Sequence, residues 1–593
     1  MSGDKKPSAY TQHALLVAWG AFAEHIGLPQ RFQHLSLKQK AYQHTPQAKV
    51  LEFLVAILAG LPHLQDISRA AHPLDKDQAV AEAWGQPGWA DYTGVSRTLK
   101  ALSWDEARQI VQAMEEISQP FFEAELAQLR RQGQRLRLDG DLTGLPVSNT
   151  SRTYPNAAYG HMNTDIRLGY QAALVSLESP TYGRLWLSVE HHPGDTVSCT
   201  QAEALVLAAE KRLGVRPRRR TDLLRQRIQQ FEESMAATNR RLEAQEKALQ
   251  QAQEQLTAAQ QQHQQLAVLE QRTRVKGRPY SRLAQARKRL HTAQKRLHQR
   301  EAALHAAQRR LEKTRQRQTR QRQARAALQQ RLECFEQDNA DNPDPVEAEF
   351  RLDAGFGTYE NLTLLIEMGY EVYTKPYSHR VVAYLQRQTD EQTTWERVGK
   401  NAEMVAWQET QLPGCPYPLD VALERFHTGK TVRHSALLYF GTDAVTEDLA
   451  AWFTHYNGRQ TIEAGIKEGK QVFHLHRIKV RSEPAIFLQE HFVVFAANFI
   501  RWATCWLAGL PQPDEQTLDV RQLGIKRQVH VGAHVSAHIS QSSEGKLLKF
   551  TDWSAFAGHV LRLPPSTTPQ GRRKTRKKWL FFMLPRLIAQ MLR

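Results

Sequence analysis

Cysteine is scarce in this chain. Cys199, Cys334, Cys415 and Cys505 are scattered over 593 positions with no Cys-x-x-Cys pair, which argues against a zinc site and a disulfide framework and fits a reducing cytoplasm. Long apolar runs are missing too. The most apolar window, HFVVFAANFIRWATCWLAGL from His491, is interrupted by Asn498 and Arg501; it reads as a buried core helix, not a membrane span. The first 25 residues lack the basic-then-apolar layout of a signal peptide. These absences exclude secreted disulfide scaffolds and membrane carriers. A chain of this length exceeds one core, so roughly three to five domains are expected.

Acidic residues run short in one segment only. The formal net charge is +18, and residues 216–335 hold 29 Lys or Arg against 10 Asp or Glu. The rest of the chain carries 50 basic and 51 acidic residues. So concentrated a field reads as a phosphate-binding footprint more than as a solubility device. The same segment has a heptad pattern. Leu224, Ile228, Phe231, Met235, Leu242, Leu249, Leu256 and Leu266 share a seam. After a break at Gly277 and Pro279, Leu283, Leu290, Leu297, Leu304 and Leu311 recur every seven residues, with Ala286, Ala293 and Ala307 between them. The spacing predicts an antiparallel coiled-coil hairpin over 216–340, with arms of roughly 70–80 Å. Its second arm, 281–335, has 16 Lys or Arg, among them Arg287, Lys288, Arg309, Arg310, Arg317 and Arg320, against Glu301, Glu312 and Glu333. Like charges along one face repel, so this arm is expected to lie along DNA. The rival reading is an arm that only joins two subunits.

Elsewhere the texture is mixed. Residues 1–133 look helical, with an apolar helix at Val50–Leu61 and caps at Ser96 and Ser103; DNA contact and a purely structural role both stay open for them. From 134 to 215, RLRLDGDLTGL, GYQAALVSLES and GRLWLSVEHH read as three strands and CTQAEALVLAAEKRLG as a helix. Residues 341–375 add a strand, AEFRLDAGF, then a helix and another strand. Three strands and a helix, with carboxylates near the end of the first strand, form the opening half of an RNase H-like α/β core. Residues 376–436 carry RVVAYLQRQ, TTWERV and EMVAWQET and read as a small β-rich insertion. The core resumes over 437–510. Residues 511–593 add helices and a basic run, Arg572–Lys578, that hints at nucleic acid.

One stretch orders its charges. In FTHYNGRQTIEAGIKEGK, Tyr456, Arg459, Glu463 and Lys470 are spaced three, four and seven apart. At about 100° per residue these steps put all four within roughly 60° on one helix face. Upstream, Asp141 lies in DGDLTG and Asp353 in RLDAGFG, each at the end of a predicted strand. Three carboxylates converging from two strands and a helix suit hard divalent cations and phosphodiester cleavage.

The spacing Y-x2-R-x3-E-x6-K resembles the YREK signature of bacterial insertion-sequence transposases of the cut-and-paste DDE type. Asp141-Leu142-Thr143 resembles that family's first D-x-T element, and the Asp353 setting its second motif. The resemblance covers roughly 134–215 and 341–505, and loosely the N-terminal helices; the coiled-coil hairpin departs from it. It implies an RNase H-like catalytic core with two magnesium ions, manganese being a substitute, held by Asp141, Asp353 and Glu463. Asp139, on the same strand face as Asp141, is the rival first ligand. It further implies that Tyr456, Arg459 and Lys470 hold DNA phosphates and that an aromatic of the β insertion stacks on a flipped base. Trp395 and Trp407 are the candidates for that stacking, with core tryptophans as the plainer reading. The implied partners are transposon-end and target DNA and a second subunit in a synaptic dimer near the nucleoid. A related nuclease without strand transfer and a non-catalytic DNA-binding coiled-coil protein are the alternatives.

Overall fold

The computed structural model of the chain describes residues 9–149, 154–162, 165–275, 280–429, 431–511, 517–542, 545–551 and 556–565. The basic run at 572–578 and the turn residues Gly277 and Pro279 lie outside them. The chain forms two compact units, one running to Pro217 and resuming at Asp344, the other Arg218–Pro343.

The first unit opens with helices that include α1 (Ala14–His25), α2 (Pro46–Leu58) and α3 (Trp104–Arg131). Strands β1 (Leu136–Pro146), β2 (Asp165–Ser179) and β3 (Gly183–Pro193) follow, then helix α4 (Ala202–Leu213). The second unit is helices α5 (Thr221–Val275) and α6 (Tyr280–Ala340). The first unit resumes with β4 (Ala348–Arg351), α7 (Tyr359–Glu367), β5 (Glu371–Thr374) and α8 (His379–Gln386). Next come β6 (Ala402–Thr410), β7 (Leu419–Thr428) and β8 (Thr431–Phe440). Helices α9 (Leu449–Asn457), α10 (Gln460–Gln471) and α11 (Glu483–Ala508) precede β9 (Ala537–Ser542), β10 (Gly545–Phe550) and β11 (Val560–Leu563).

Strands β1 to β8, with the short strands Ala158–Met162 and Glu396–Arg397, make a ten-stranded mixed sheet. β1 pairs with β2 antiparallel and with β4 parallel; β4 pairs with β5 parallel, and β3 pairs with the outer side of β2. The strands of the expected insertion are not set apart. β8 pairs with β5 and carries β7 and β6 beyond it, because an unpaired edge at β5 would leave backbone donors and acceptors open. RVVAYLQ is helical as α8, with Val381 and Leu385 buried a turn apart, a period of four that outweighs its β-branched residues.

Helix α11 is apolar almost all round because both sides of it are covered. Phe121 of α3 stacks on Trp502 at 4.4 Å, and Phe22 of α1 meets Phe499 at 5.1 Å. On the other side Asn498 accepts from the Trp186 N–H of β3 at 2.9 Å and donates to its carbonyl at 2.8 Å, so the polar residue inside the apolar window satisfies a buried backbone. The N-terminal helices are thus packed against the core. Ser103 caps α3 in a capping box with Glu106, whereas Ser96 lies inside a helix that Asp91 caps. The expected C-terminal helices are mostly absent from the described residues. β9, β10 and β11 join Ala9–Thr11 in a four-stranded sheet.

In the second unit, α5 and α6 lie side by side, at 55 and 61 residues or roughly 80 and 90 Å. The least exposed positions of α5 alternate by three and four, through Leu224, Ile228, Phe231, Met235, Thr238, Leu242, Gln245 and Leu249, as a coiled-coil seam requires. The seam therefore includes polar residues that an apolar count passes over.

Candidate active site

Asp139 and Arg351 are register partners on the parallel strands β1 and β4. Asp141 stands two residues further along β1, on the same face as Asp139, and Asp353 stands two residues past Arg351, just beyond the end of β4. Gly140, between the two aspartates, faces the other way; a Cβ there would come within 2.9 Å of Leu352 and 3.0 Å of Phe350. Gly140 thus leaves room for the Leu352 and Phe350 side chains packed beneath β1.

The two aspartates of β1 have different environments. Asp139 is wholly buried and held by two guanidiniums, Arg351 at 2.7 Å and Arg184 at 3.1 Å. Asp141 keeps 14% of its side chain exposed and accepts only a backbone bond at 2.8 Å, from the Leu142 N–H. Burial raises its pKa from 3.8 to about 6; Arg459 opposes the rise, while Asp353 and Glu463 add to it. Those electrostatic influences come from the two other predicted carboxylates. Asp353 is half-buried, and its Oδ1 is enclosed with no hydrogen-bond partner.

The charged stretch does not form one helix. It divides into α9 and α10 at Gly458 and Arg459, where the hydrogen bonds tighten to three-residue steps, Arg459 to Tyr456 and Ile462 to Arg459. Tyr456 then points inward, in a core cluster with Tyr373, Tyr439 and Trp452, and its hydroxyl donates to the Leu352 carbonyl at 3.2 Å. It fastens helix α9 to the end of β4 beside Asp353 instead of facing solvent. Arg459 is buried between carboxylates, 3.2 Å from Glu463 and 3.7 Å from Asp141. Burial works against its charge, but Tyr456, Asp141, Asp353 and Glu463 hold its pKa above the usual value. Lys470 donates to the Gly144 carbonyl of β1 at 2.9 Å; burial lowers its pKa, with Asp141 opposing. Glu463 is the exposed member, at 51%.

Among the described residues no three His, Cys, Asp or Glu side chains stand together as a ready-made metal cage. The donor chemistry nevertheless fits a hard divalent cation. Asp353 has an unpartnered buried oxygen, and ionisation of Asp141 is held back by burial and by Asp353 and Glu463, which is the situation a bound cation relieves.

Neither candidate stacking residue is a core tryptophan. Trp395 and Trp407 are both half-buried, and the Arg425 guanidinium lies 4.0 Å over the Trp395 ring; the core tryptophan of this region is Trp452. In the second unit, Arg287, Lys288, Arg309, Arg310, Arg317 and Arg320 are all exposed. Arg287 pairs with Glu270 of the opposite arm at 3.3 Å, as Arg315 does with Glu246 and Arg325 with Glu232. The other five belong to the side of α6 away from those pairs. Helical spacing puts Lys288, Lys295 and Arg309 opposite the seam and Lys313 and Arg320 next to them.

Sequence reasoning missed Arg351. Its signal is a charged residue inside the strand AEFRLD, on the same strand face as Asp353. No helix among the described residues is long and apolar enough to cross a membrane. No protein-family model and no curated protein sequence matches this chain.

Proposed function

We propose that this protein is a DNA transposase of the cut-and-paste DDE type, with Asp141, Asp353 and Glu463 as its catalytic carboxylates on an RNase H-like core. The observation that carries the reading is that Asp353, two residues past the end of β4, and Glu463 of α10 both act electrostatically on the buried Asp141 carboxyl of the adjacent strand β1. The strand order β3-β2-β1-β4-β5, with only β2 reversed against its neighbours among β1, β4 and β5, supports the RNase H-like assignment.

The three carboxylates would hold a pair of magnesium ions, which supply an activated water and stabilise the leaving oxygen when bound. The chain's own residues then have distinct work. Asp141 must lose its proton to become a ligand. Arg459, now between Asp141 and Glu463, is close enough to exchange a carboxylate for a scissile phosphate, to which its fork is matched. Lys470 presents a point charge at the same end of β1. Tyr456 keeps helix α9 against β4 and makes no DNA contact. The side of α6 away from its ion pairs with α5, with Lys288, Arg309, Arg310, Arg317 and Arg320, binds DNA phosphates. A second copy presents the same positive face and is repelled by it, so synaptic dimerisation uses another surface.

The test incubates the full chain with DNA from the ends of its own element, a target plasmid and magnesium. Cleaved ends joined to target through a 3′-OH are expected, with cleavage abolished and end binding kept in D353A and E463A. Full cleavage by E463A overturns the proposal; cleavage without joining leaves a nuclease.

A further inference from the structure

Arg351 is a guanidinium with 2% of its side chain exposed, in a strand whose four residues are all buried. All three of its nitrogens are engaged. Nε donates to Asp139 Oδ1 at 2.7 Å and Nη2 to Oδ2 at 3.0 Å. Nη2 also donates to Glu178 at 2.7 Å, and Nη1 donates to the His455 carbonyl at 3.1 Å. Charge compensation of Asp139 does not require all of this, since Arg184 already pairs with it. The bond to His455 compensates no charge. It takes a carbonyl in the last turn of α9, one of those a helix leaves open, just before the chain turns into α10.

Each anchor point is a short step from a group of the active site. Asp139 is two residues before Asp141, Arg351 two before Asp353, and His455 four before Arg459 and eight before Glu463. We infer that Arg351 is a positioning residue that sets the spacing of the three carboxylates by joining β1, β4 and the α9–α10 turn in one rigid fork. This rests on reading the site as the cleavage centre. Lysine cannot replace a planar fork that meets three partners at once. Gly458 gives independent support: a Cβ there would lie 3.0 Å from Arg351 Nη1, although its backbone is ordinary right-handed helix that any residue adopts. The glycine makes room for the guanidinium.

The test compares wild type, R351K and G458A by Mn2+ titration followed by electron paramagnetic resonance, by cleavage rate per folded molecule, and by hydrogen exchange. Both variants are expected to bind Mn2+ about tenfold or more weakly, as loss of an outer support does. Cleavage by R351K should fall on the order of 100-fold, the effect of a displacement of about 1 Å, and by G458A on the order of 10-fold, because its Cβ moves the guanidinium by less. Amides of 456–463 should exchange faster while those of β1 keep their protection. Wild-type Mn2+ affinity and cleavage in the folded fraction of both variants overturn the inference, whatever their stability. If R351K does not fold, G458A decides by the same measures. If the wild type neither binds Mn2+ nor cleaves, the transposase reading fails separately, and unchanged exchange at 456–463 in both variants then removes the positioning role.

Discussion

Replacing Asp141 by Asn should make the protein more stable, by an amount that grows from about pH 4 and levels off above about pH 6. Asn resembles the protonated carboxyl, and its carbonyl can still accept from the Leu142 N–H that Asp141 holds at 2.8 Å. Well below 3.8 the Asp141 carboxyl is protonated in both folded and unfolded chains, and wild type and variant should match. As the pH rises, the unfolded chain ionises first, near 3.8, and the folded chain only around 6. Between and above those values ionisation favours the unfolded state. Two units at 1.36 kcal/mol each give about 3 kcal/mol lost to folding by pH 8. D141N should recover about 2–3 kcal/mol there; titrating groups far from the site cancel in the difference, whereas Asp353, Glu463 and Arg459 feel the lost charge. Urea unfolding followed by tryptophan fluorescence reads the right unit, because all 12 tryptophans lie outside 218–343. Magnesium should raise the wild-type midpoint at pH 8, since a ligand bound only to the folded state stabilises it, and should raise that of D141N much less. Equal midpoints for the two proteins at pH 8 without magnesium would refute the argument that burial and the neighbouring carboxylates strain Asp141.

Two further outcomes follow from the same geometry. R459A and K470A should each weaken complexes with end DNA and slow cleavage, with R459K restoring only part, as measured by gel shift and cleavage rate; wild-type behaviour of both alanine variants would make these ordinary surface charges. Excising the hairpin by joining Pro217 to Asp344 should leave the first unit folded, since Val346 N–H already donates to the Arg216 carbonyl at 3.3 Å. It should also flatten the plot of log affinity against log salt by on the order of five, if about five or six phosphate contacts are lost; an unchanged slope with loss of a dimer would assign the hairpin to dimerisation.

The strand carrying Asp141 and the one leading to Asp353 are legible in sequence because apolar alternation coincides with a carboxylate, within the strand in RLRLDGDL and just past its end in AEFRLD. The coiled coil is legible from its leucine heptads, although Thr238 and Gln245 of its seam are not. The fate of each charge is less accessible. Asp139 and Asp141 are equivalent by spacing, and only the arrival of Arg184 and Arg351 from other strands separates them. Tyr456 fits a single charged face as well as Arg459 does until the chain turns at Gly458 and sends the ring into the core. Strands β6 to β8 alternate clearly enough to be read as strands, but nothing local says that β8 will pair with β5. Pairing partners are a long-range property, and the alternation records only which side is buried.

The position of the coiled-coil hairpin in the chain bears on how the molecule folds. Asp139 and Arg351, neighbours on paired strands, are 212 positions apart, and closing a flexible loop of that length is slow and entropically costly. The two long helices occupy 55 and 61 of those positions and make contacts that are local by comparison. At the base of the hairpin, Arg219 N–H donates to the Asn339 side chain at 2.7 Å, so its ends return together. A hairpin formed first shortens the effective loop to fewer than a hundred residues, worth about 0.7 kcal/mol in closure entropy. The order of events then has a safeguard built into it. During synthesis β1 emerges with its aspartates long before β4, and Glu463 comes later still. The three carboxylates of the candidate site therefore come together only after residue 463 has emerged, and products that end before it carry no more than part of the site.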